Sequence, residues 1–244
     1  MKNPDMEAVA GPVMGLDARY FNDPALFKRI LEAVFYRNWL LACHASQLQK
    51  PGDFTTLEIY DQDILITHTR DGDIKAFYNV CQHRGHKLVQ GSGNRKLLVC
   101  PYHAWSYDLA GKFKAAPHTS KVPGFDGSGI CLTVVRVENF VGCILFNLDP
   151  HCASMDETFP RIRAEMQGLC PDVEQRRYAY HHSADEGCNW FVAVENYNEC
   201  YHCGHCHPSF AKGVIDPASY TIEPYGDIQV LHHSSEPSHS DEAW

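Results

Sequence analysis

Near the start of the chain, apolar residues recur at helical spacing: Leu26, Phe27, Ile30, Leu31, Val34 and Phe35. Asn22-Asp23-Pro24 precedes them, an aspartate cap followed by a proline at the first helical position. The pattern predicts one amphipathic helix running to about Leu41, within an N-terminal helical segment over 1–45. After Pro51-Gly52 the period shortens. Short β-rich runs follow at Phe54 to Ile59, Ile64 to His68, Ile74 to Val80 and Leu97 to Cys100, separated by turn sequences at 61–63 and 70–73. Ser106 to Leu109 and Lys112 to Lys114 read as a hairpin about Ala110-Gly111, and Leu132 to Val137 with Val141 to Leu148 closes the series. Residues 46–150 are therefore expected to form an antiparallel β domain. Beyond Asp149-Pro150 the pattern predicts helices at Met155 to Leu169 and Trp190 to Tyr201 and a strand at Arg177 to Ser183, so 151–244 reads as part of an α+β domain. The whole is of the α+β class.

Composition narrows the function. With 44% apolar residues among 244, the chain can bury an ordinary core. A formal charge of −9 argues against nucleic acid as a partner, since phosphate binding relies on clustered Lys and Arg. No run approaches the ~20 apolar residues of a membrane span, and residues 1–20 show no secretory pattern, so a cytoplasmic protein with no membrane partner is expected. The 11 Cys and 15 His are the unusual numbers. Without an export signal, they point to metal or redox chemistry before disulfides.

Two pairs stand out in the β region: Cys81-Gln82-His83 and Cys100-Pro101-Tyr102-His103. Each puts a thiolate and an imidazole on one tight loop, and adjacent hairpin tips could present all four to one point. This is the ligand set of a Rieske [2Fe–2S] centre, with two Cys on one iron and two His on the other. Replacing two thiolates by neutral imidazoles removes negative charge, which raises the potential to roughly −150 to +300 mV. A Cys2His2 zinc site uses the same groups, although zinc fingers usually pair Cys with Cys and His with His. His86 has no cysteine partner and reads as structural.

A second constellation lies at Asn196-Tyr197-Asn198-Glu199-Cys200-Tyr201-His202-Cys203-Gly204-His205-Cys206-His207-Pro208. On a helix ending near Gly204, Glu199 and His202 would share a face, with His207 brought round by the next turn. His202 and His207 with one more carboxylate would make the facial triad of an oxygen-activating iron. Cys200-x2-Cys203-x2-Cys206 alternatively reads as the opening of a ferredoxin-like cluster run, but no later cysteine completes it. Zinc, or simply buried thiols, are the other readings.

Cys-x-His-Arg-Gly-His, a sixteen-residue gap and Cys-Pro-Tyr-His-Ala-Trp resemble the Rieske domain of non-haem iron oxygenases, and Tyr107-Asp108-Leu109-Ala110-Gly111 matches the hairpin that follows. Asn-Tyr-x-Glu-Cys-Tyr-His-Cys, then His-Pro-x-Phe, resembles the mononuclear iron motif of the branch that includes carnitine oxygenase, stachydrine demethylase and glycine betaine monooxygenase. The resemblance runs from about Phe35 onward. It implies a Rieske domain followed by the first part of a helix-grip-like catalytic domain. It also implies a [2Fe–2S] cluster on Cys81, His83, Cys100 and His103, and mononuclear Fe(II) on His202 and His207. Glu199 matches the catalytic carboxylate that bridges a neighbouring subunit's Rieske histidine to the iron site.

In that family a flavin- or ferredoxin-type reductase supplies electrons one at a time to a homotrimer, and O2 is activated to hydroxylate or N-demethylate a small substrate. For this branch the implied substrate is a quaternary ammonium compound. A ring-hydroxylating dioxygenase acting on an aromatic compound, or a Rieske electron carrier alone, are the alternatives. The family's third iron ligand lies about a hundred residues beyond the second His, so it is expected past Trp244. Asp216, Glu223 and Asp227 read as surface or loop carboxylates. Arg84, Lys87 and Arg95 near the cluster loops could dock an acidic ferredoxin but are expected to be simply solvated charges, and His181-His182 and His232-His233 surface or strand residues. Cys43, Cys131, Cys143, Cys152, Cys170 and Cys188 are expected to be buried thiols.

Overall fold

The computed structural model describes residues 15–225 and 230–238. The chain divides into two compact units, one of residues 29–182 and one of residues 1–28 with 183–244.

The larger unit is built on a seven-stranded antiparallel sheet. Its strands are β1 (Leu40–His44), β2 (Asp53–Ile59), β3 (Gln62–His68), β4 (Ile74–Tyr78), β5 (Ser92–Asn94), β9 (Val134–Phe140) and β10 (Cys143–Asn147), in the order β1-β10-β9-β4-β3-β2-β5. A three-stranded sheet, β6 (Leu98–Val99), β7 (Ser106–Tyr107) and β8 (Phe113–Ala115), lies between β5 and β9 in sequence. Successive side chains of a strand point to opposite faces, and both faces of β3 are covered. Leu65 joins Phe54 and Phe77 in one core, while Ile64 and Ile66 join Ile144 and Phe146 in another. That two-sided burial explains why Ile64–Ile66 is continuously apolar rather than alternating. Cys81 and Cys100 belong to the first of these cores, each about 2% exposed.

The predicted helix is shorter than its pattern. Asp23 caps it as expected, its Oδ1 accepting from the N–H of Ala25 at 2.8 Å. The helices are α1 (Arg19–Asn22) and α2 (Pro24–Ile30), followed by one π turn over Leu31–Phe35. Residues 40–44, read as the end of the helix and its sequel, instead form β1, which pairs with β10. A run of apolar residues this short fits either element, and the open edge of β10 decides it. The 155–169 helix is likewise divided into α3 (Met155–Thr158) and α4 (Ile162–Leu169) around Pro160, which has no N–H to donate. No strand forms at 177–183.

The smaller unit carries α5 (Trp190–Tyr197), α6 (Cys203–Cys206), α7 (Pro208–Gly213) and the hairpin of β11 (Thr221–Tyr225) and β12 (Val230–Ser234). Phe191 of α5 meets Tyr20 and Phe21 edge-on, and Asn189 Nδ2 donates to the Phe21 carbonyl at 3.1 Å. Among the described residues, no helix is long and apolar enough to cross a membrane.

Candidate functional site

The two Cys/His loops share one backbone design. In the first, the Gly85 N–H donates to the Cys81 carbonyl at 3.0 Å and the Cys81 N–H to the His86 carbonyl at 2.9 Å. In the second, the Ala104 N–H donates to the Cys100 carbonyl at 2.9 Å and the Cys100 N–H to the Trp105 carbonyl at 2.8 Å. The fifth residue of each loop must take a left-handed conformation to close it: Gly85 has φ 71° and Ala104 φ 56°. Glycine does this freely, whereas an L-alanine there is strained by about 1–2 kcal/mol. Part of that gain is lost to the greater freedom of an unfolded glycine. Ala104→Gly is therefore expected to raise stability by about 0.5–1 kcal/mol, read as a higher urea midpoint with unchanged slope.

The geometry sorts the four side chains. Both cysteines are buried in the core, and both histidines stand exposed at the loop tips. The His83 and His103 rings are 4.9 Å apart between centroids. Partial desolvation, then the neighbouring His103 and Arg84, hold the His83 imidazole below its usual value, which favours the neutral, ligating form. Among the described residues, no three or more His, Cys, Asp or Glu side chains converge on one ion position. A two-iron cluster asks for two thiolates on one side and two imidazoles on the other, which is the division seen here.

Three further side chains fix the loops, and the sequence reading assigned them no such role. Asn79 is buried beneath the first loop. Its Nδ2 donates to the Val89 carbonyl at 2.7 Å, and its Oδ1 accepts from the N–H groups of Leu88 and Val89, each at 3.2 Å. Tyr107 is also fully buried: its hydroxyl lies 3.4 Å from Cys81 Sγ and accepts from the Gln82 N–H at 3.1 Å. Burial, then the Cys81 contact, pushes the Tyr107 hydroxyl pKa up, so it stays protonated and able to donate to sulfur. Lys87 Nζ reaches both Glu58 and Asp63 at 2.6 Å, tying the loop's exit to β2 and β3. The expectation that Lys87 is merely solvated is thus corrected. Arg95 lies over the Phe54 ring at 5.5 Å from its centroid. His86 is held within its own loop, with Nδ1 at 2.6 Å from the Lys87 carbonyl.

The second constellation lines a cavity of about 490 Å³ together with Asn196, Phe210, Tyr220 and His233. Glu199 and His202 do not sit on one helix, because α5 stops at Tyr197 and they fall in the following turn. They meet nonetheless: Glu199 Oε1 lies 2.6 Å from His202 Nδ1. The hydrogen bond from His202, supported by the Tyr201 N–H, holds the Glu199 carboxyl below the usual range. A carboxylate on Nδ1 leaves the Nε2 lone pair as the ligating one, the arrangement metal-binding histidines favour. The His207 ring is 5.3 Å from that of His202.

Cys200 and Cys203 form a disulfide, with Cα atoms 5.0 Å apart. This removes two of the three thiols a ferredoxin-like run would use. His233, expected as a surface or strand residue, is exposed on β12 and also hydrogen-bonds Tyr220 beside the cavity. Asp216 caps a turn by accepting from the Ala218 N–H at 3.0 Å, and Glu223 is exposed on β11. Asp227 and the His232 side chain lie outside the described residues. Of the cysteines expected to be buried singly, only Cys43 is, its thiol pushed up to about 11 by burial and then by Cys143. Cys131 and Cys188 are exposed, and Cys143, Cys152 and Cys170 half-buried.

Comparison with known proteins adds to this geometry. Residues 38–126 match the family described as the Rieske [2Fe-2S] domain, and residues 173–241 the ring hydroxylating alpha subunit catalytic domain. The chain is 37% identical over 225 residues to the carnitine monooxygenase oxygenase subunit of Escherichia coli K12, covering 91% of this chain and 60% of that protein. It is 31% identical over 198 residues to the glycine betaine monooxygenase oxygenase subunit of Pseudomonas aeruginosa UCBPP-PA14, covering 81% of this chain and 46% of that protein. The crystal structure of the quaternary ammonium Rieske monooxygenase CntA with L-carnitine superposes with a TM-score of 0.79 at 32% identity, over 85% of this chain and 59% of that one. The chain thus spans about 60% of the length of the carnitine relatives it matches.

Proposed function

We propose a function from the premise that this chain belongs to the alpha subunits of Rieske non-haem iron oxygenases. It is the oxygenase component of a system that takes electrons from a reductase and uses O2 to hydroxylate or N-demethylate a small quaternary ammonium substrate. A homotrimeric assembly and a cytoplasmic location are part of the same proposal. The observation that carries it is the Glu199–His202 pair beside His207 in a cavity of its own, for which a pure electron carrier has no use. The substrate class rests on the similarity to carnitine and glycine betaine oxygenase subunits.

The residues present fit the two metal groups. Cys81 and Cys100 would hold one iron of a [2Fe–2S] cluster inside the core, and His83 and His103 the other at the surface. His202 and His207 would hold mononuclear iron, with Glu199 orienting His202. When bound, the cluster supplies one-electron transfer and the mononuclear iron(II) supplies open positions for O2. The chain's own contribution is positional. Asn79 and Lys87 fix the first loop, Tyr107 donates to a ligand sulfur, and Phe210 and Tyr220 wall the cavity.

Purified anaerobically, the chain should be coloured and give the reduced-state EPR signal of a Rieske centre. Iron analysis should return nearer two than three irons per chain, because among the described residues no third acidic ligand joins His202 and His207. Added iron(II) should be taken up by wild type and not by His202→Ala. A colourless protein would refute the reading, as would uptake indifferent to His202→Ala; three tightly held irons would show instead that a third ligand joins His202 and His207.

Tyr107→Phe tests the sulfur contact. A hydrogen bond to a ligand sulfur disperses the negative charge of the reduced state and raises the potential. A bond of this kind contributes on the order of 1.4 kcal/mol, about 60 mV for one electron. The variant's midpoint should therefore fall by about 60 mV in a redox titration.

A further inference from the structure

We infer that Trp105 is the positioning residue for His83: its indole face, offered from the second loop, sets the ring plane of a ligand on the first. The inference rests on the reading of Cys81, His83, Cys100 and His103 as cluster ligands.

A histidine that binds metal ordinarily has its ring oriented by a hydrogen bond from its other nitrogen to a carboxylate, carbonyl or water. His202 has such a bond, to Glu199. Among the described residues, no hydrogen bond reaches the His83 ring, and the residue stands exposed at a loop tip. The last torsion of a histidine is broad, so an exposed imidazole without a partner would turn freely.

The His83 ring does have a flat partner. Trp105 lies parallel to it, 4.7 Å between centroids with 5° between planes. His103 closes the approach from another side, edge-on at 74°. The indole is itself braced. Phe113 meets it edge-on at 5.0 Å and Phe125 at 6.3 Å, and Phe113 is pressed against Gly127, where a Cβ would collide with its ring. Stacking of this kind restricts rotation about the ring normal's tilt while leaving both imidazole nitrogens uncovered, as a ligand requires. It also couples the loops: Trp105 shares its segment with Cys100 and His103, so the second loop orients a ligand of the first.

The test compares Trp105→Leu, Trp105→Phe and Phe125→Leu in the cluster-loaded full chain, reading the reduced-state EPR g-values and linewidth and the rate of cluster loss to a chelator. Trp105→Leu should broaden the signal and speed cluster loss about 10-fold, in the range for residues that orient a metal ligand. Trp105→Phe, which keeps a flat face, should recover most of both. Wild-type g-values and loss rate in Trp105→Leu would overturn the inference, as would a phenylalanine no better than leucine. Should Trp105→Leu not fold by circular dichroism, Phe125→Leu decides, since Phe125 meets the indole edge-on from an exposed loop. Broadening there supports the inference and an unchanged signal overturns it. A wild-type protein without any Rieske signal would instead refute the functional reading on which the inference rests.

Discussion

Cys81→Ser is expected to yield a colourless protein with less than about a hundredth of the wild-type cluster, a loss beyond the 10–100-fold typical of residues that merely orient a ligand. Cys81 is about 2% exposed and sits among Leu65, Leu88 and Tyr107 in the larger unit's core. A serine hydroxyl is nearly isosteric but holds its proton at neutral pH and is a hard donor, whereas iron–sulfur clusters are held by soft thiolates. The hydroxyl could still exchange a hydrogen bond with Tyr107, so the cavity it leaves is not the cause of the effect. Iron and acid-labile sulfide analysis would measure the loss. Because ligand binding and folding are coupled, the melting temperature of the larger unit should fall with it. A serine variant that kept its colour would remove Cys81 from the ligand set.

Gly111→Ala should be the most destabilising single change near the site that leaves every proposed ligand in place. Gly111 has φ 81°, and a Cβ built on it would lie 2.5 Å from Cε1 of Phe77, a side chain only 1% exposed. The left-handed backbone costs an alanine about 1–2 kcal/mol. Displacing a buried phenylalanine from a packed core adds about 1–3 kcal/mol. The sum, on the order of 3 kcal/mol, is a large share of a domain's stability and should be plain in the urea midpoint. The Leu132 N–H donates to the Gly111 carbonyl at 2.8 Å, and the Thr67 hydroxyl to the Leu109 carbonyl at 2.7 Å. The turn that carries β7 and β8 away from the second ligand loop is thus locked to the main sheet. A loss of under about 1 kcal/mol would show that Phe77 has room the packing does not suggest.

What the sequence discloses and what it conceals follow from how local the responsible contacts are. Cys-x-His and Cys-x2-His are legible because the ligands of one loop lie within four residues. The closing turn at Gly85 is legible for the same reason. Asn79 is not, because its three hydrogen bonds go to backbone groups nine and ten residues away and an asparagine at a strand end more often marks a turn. The Lys87 ties to Glu58 and Asp63 span 29 and 24 positions and leave no local trace. The apolar pattern carries the predicted helix on to Leu41, and the strand that Leu40–His44 form instead depends on the edge of β10, far away in sequence. In the smaller unit the Glu199–His202 contact agrees with the expected spacing of three, although a turn and not a helix supplies it. Tyr220 and His233 meet across a hairpin whose register no spacing rule gives.

The division between inner sulfurs and outer imidazoles has a kinetic consequence. Electron tunnelling weakens steeply with every atom interposed, and buried apolar side chains stand between Cys81 or Cys100 and solvent. His83 and His103 reach open water with none. The cluster proposed here would therefore trade charge through one face only, and a redox partner that docks anywhere else on this sheet would find it electrically remote.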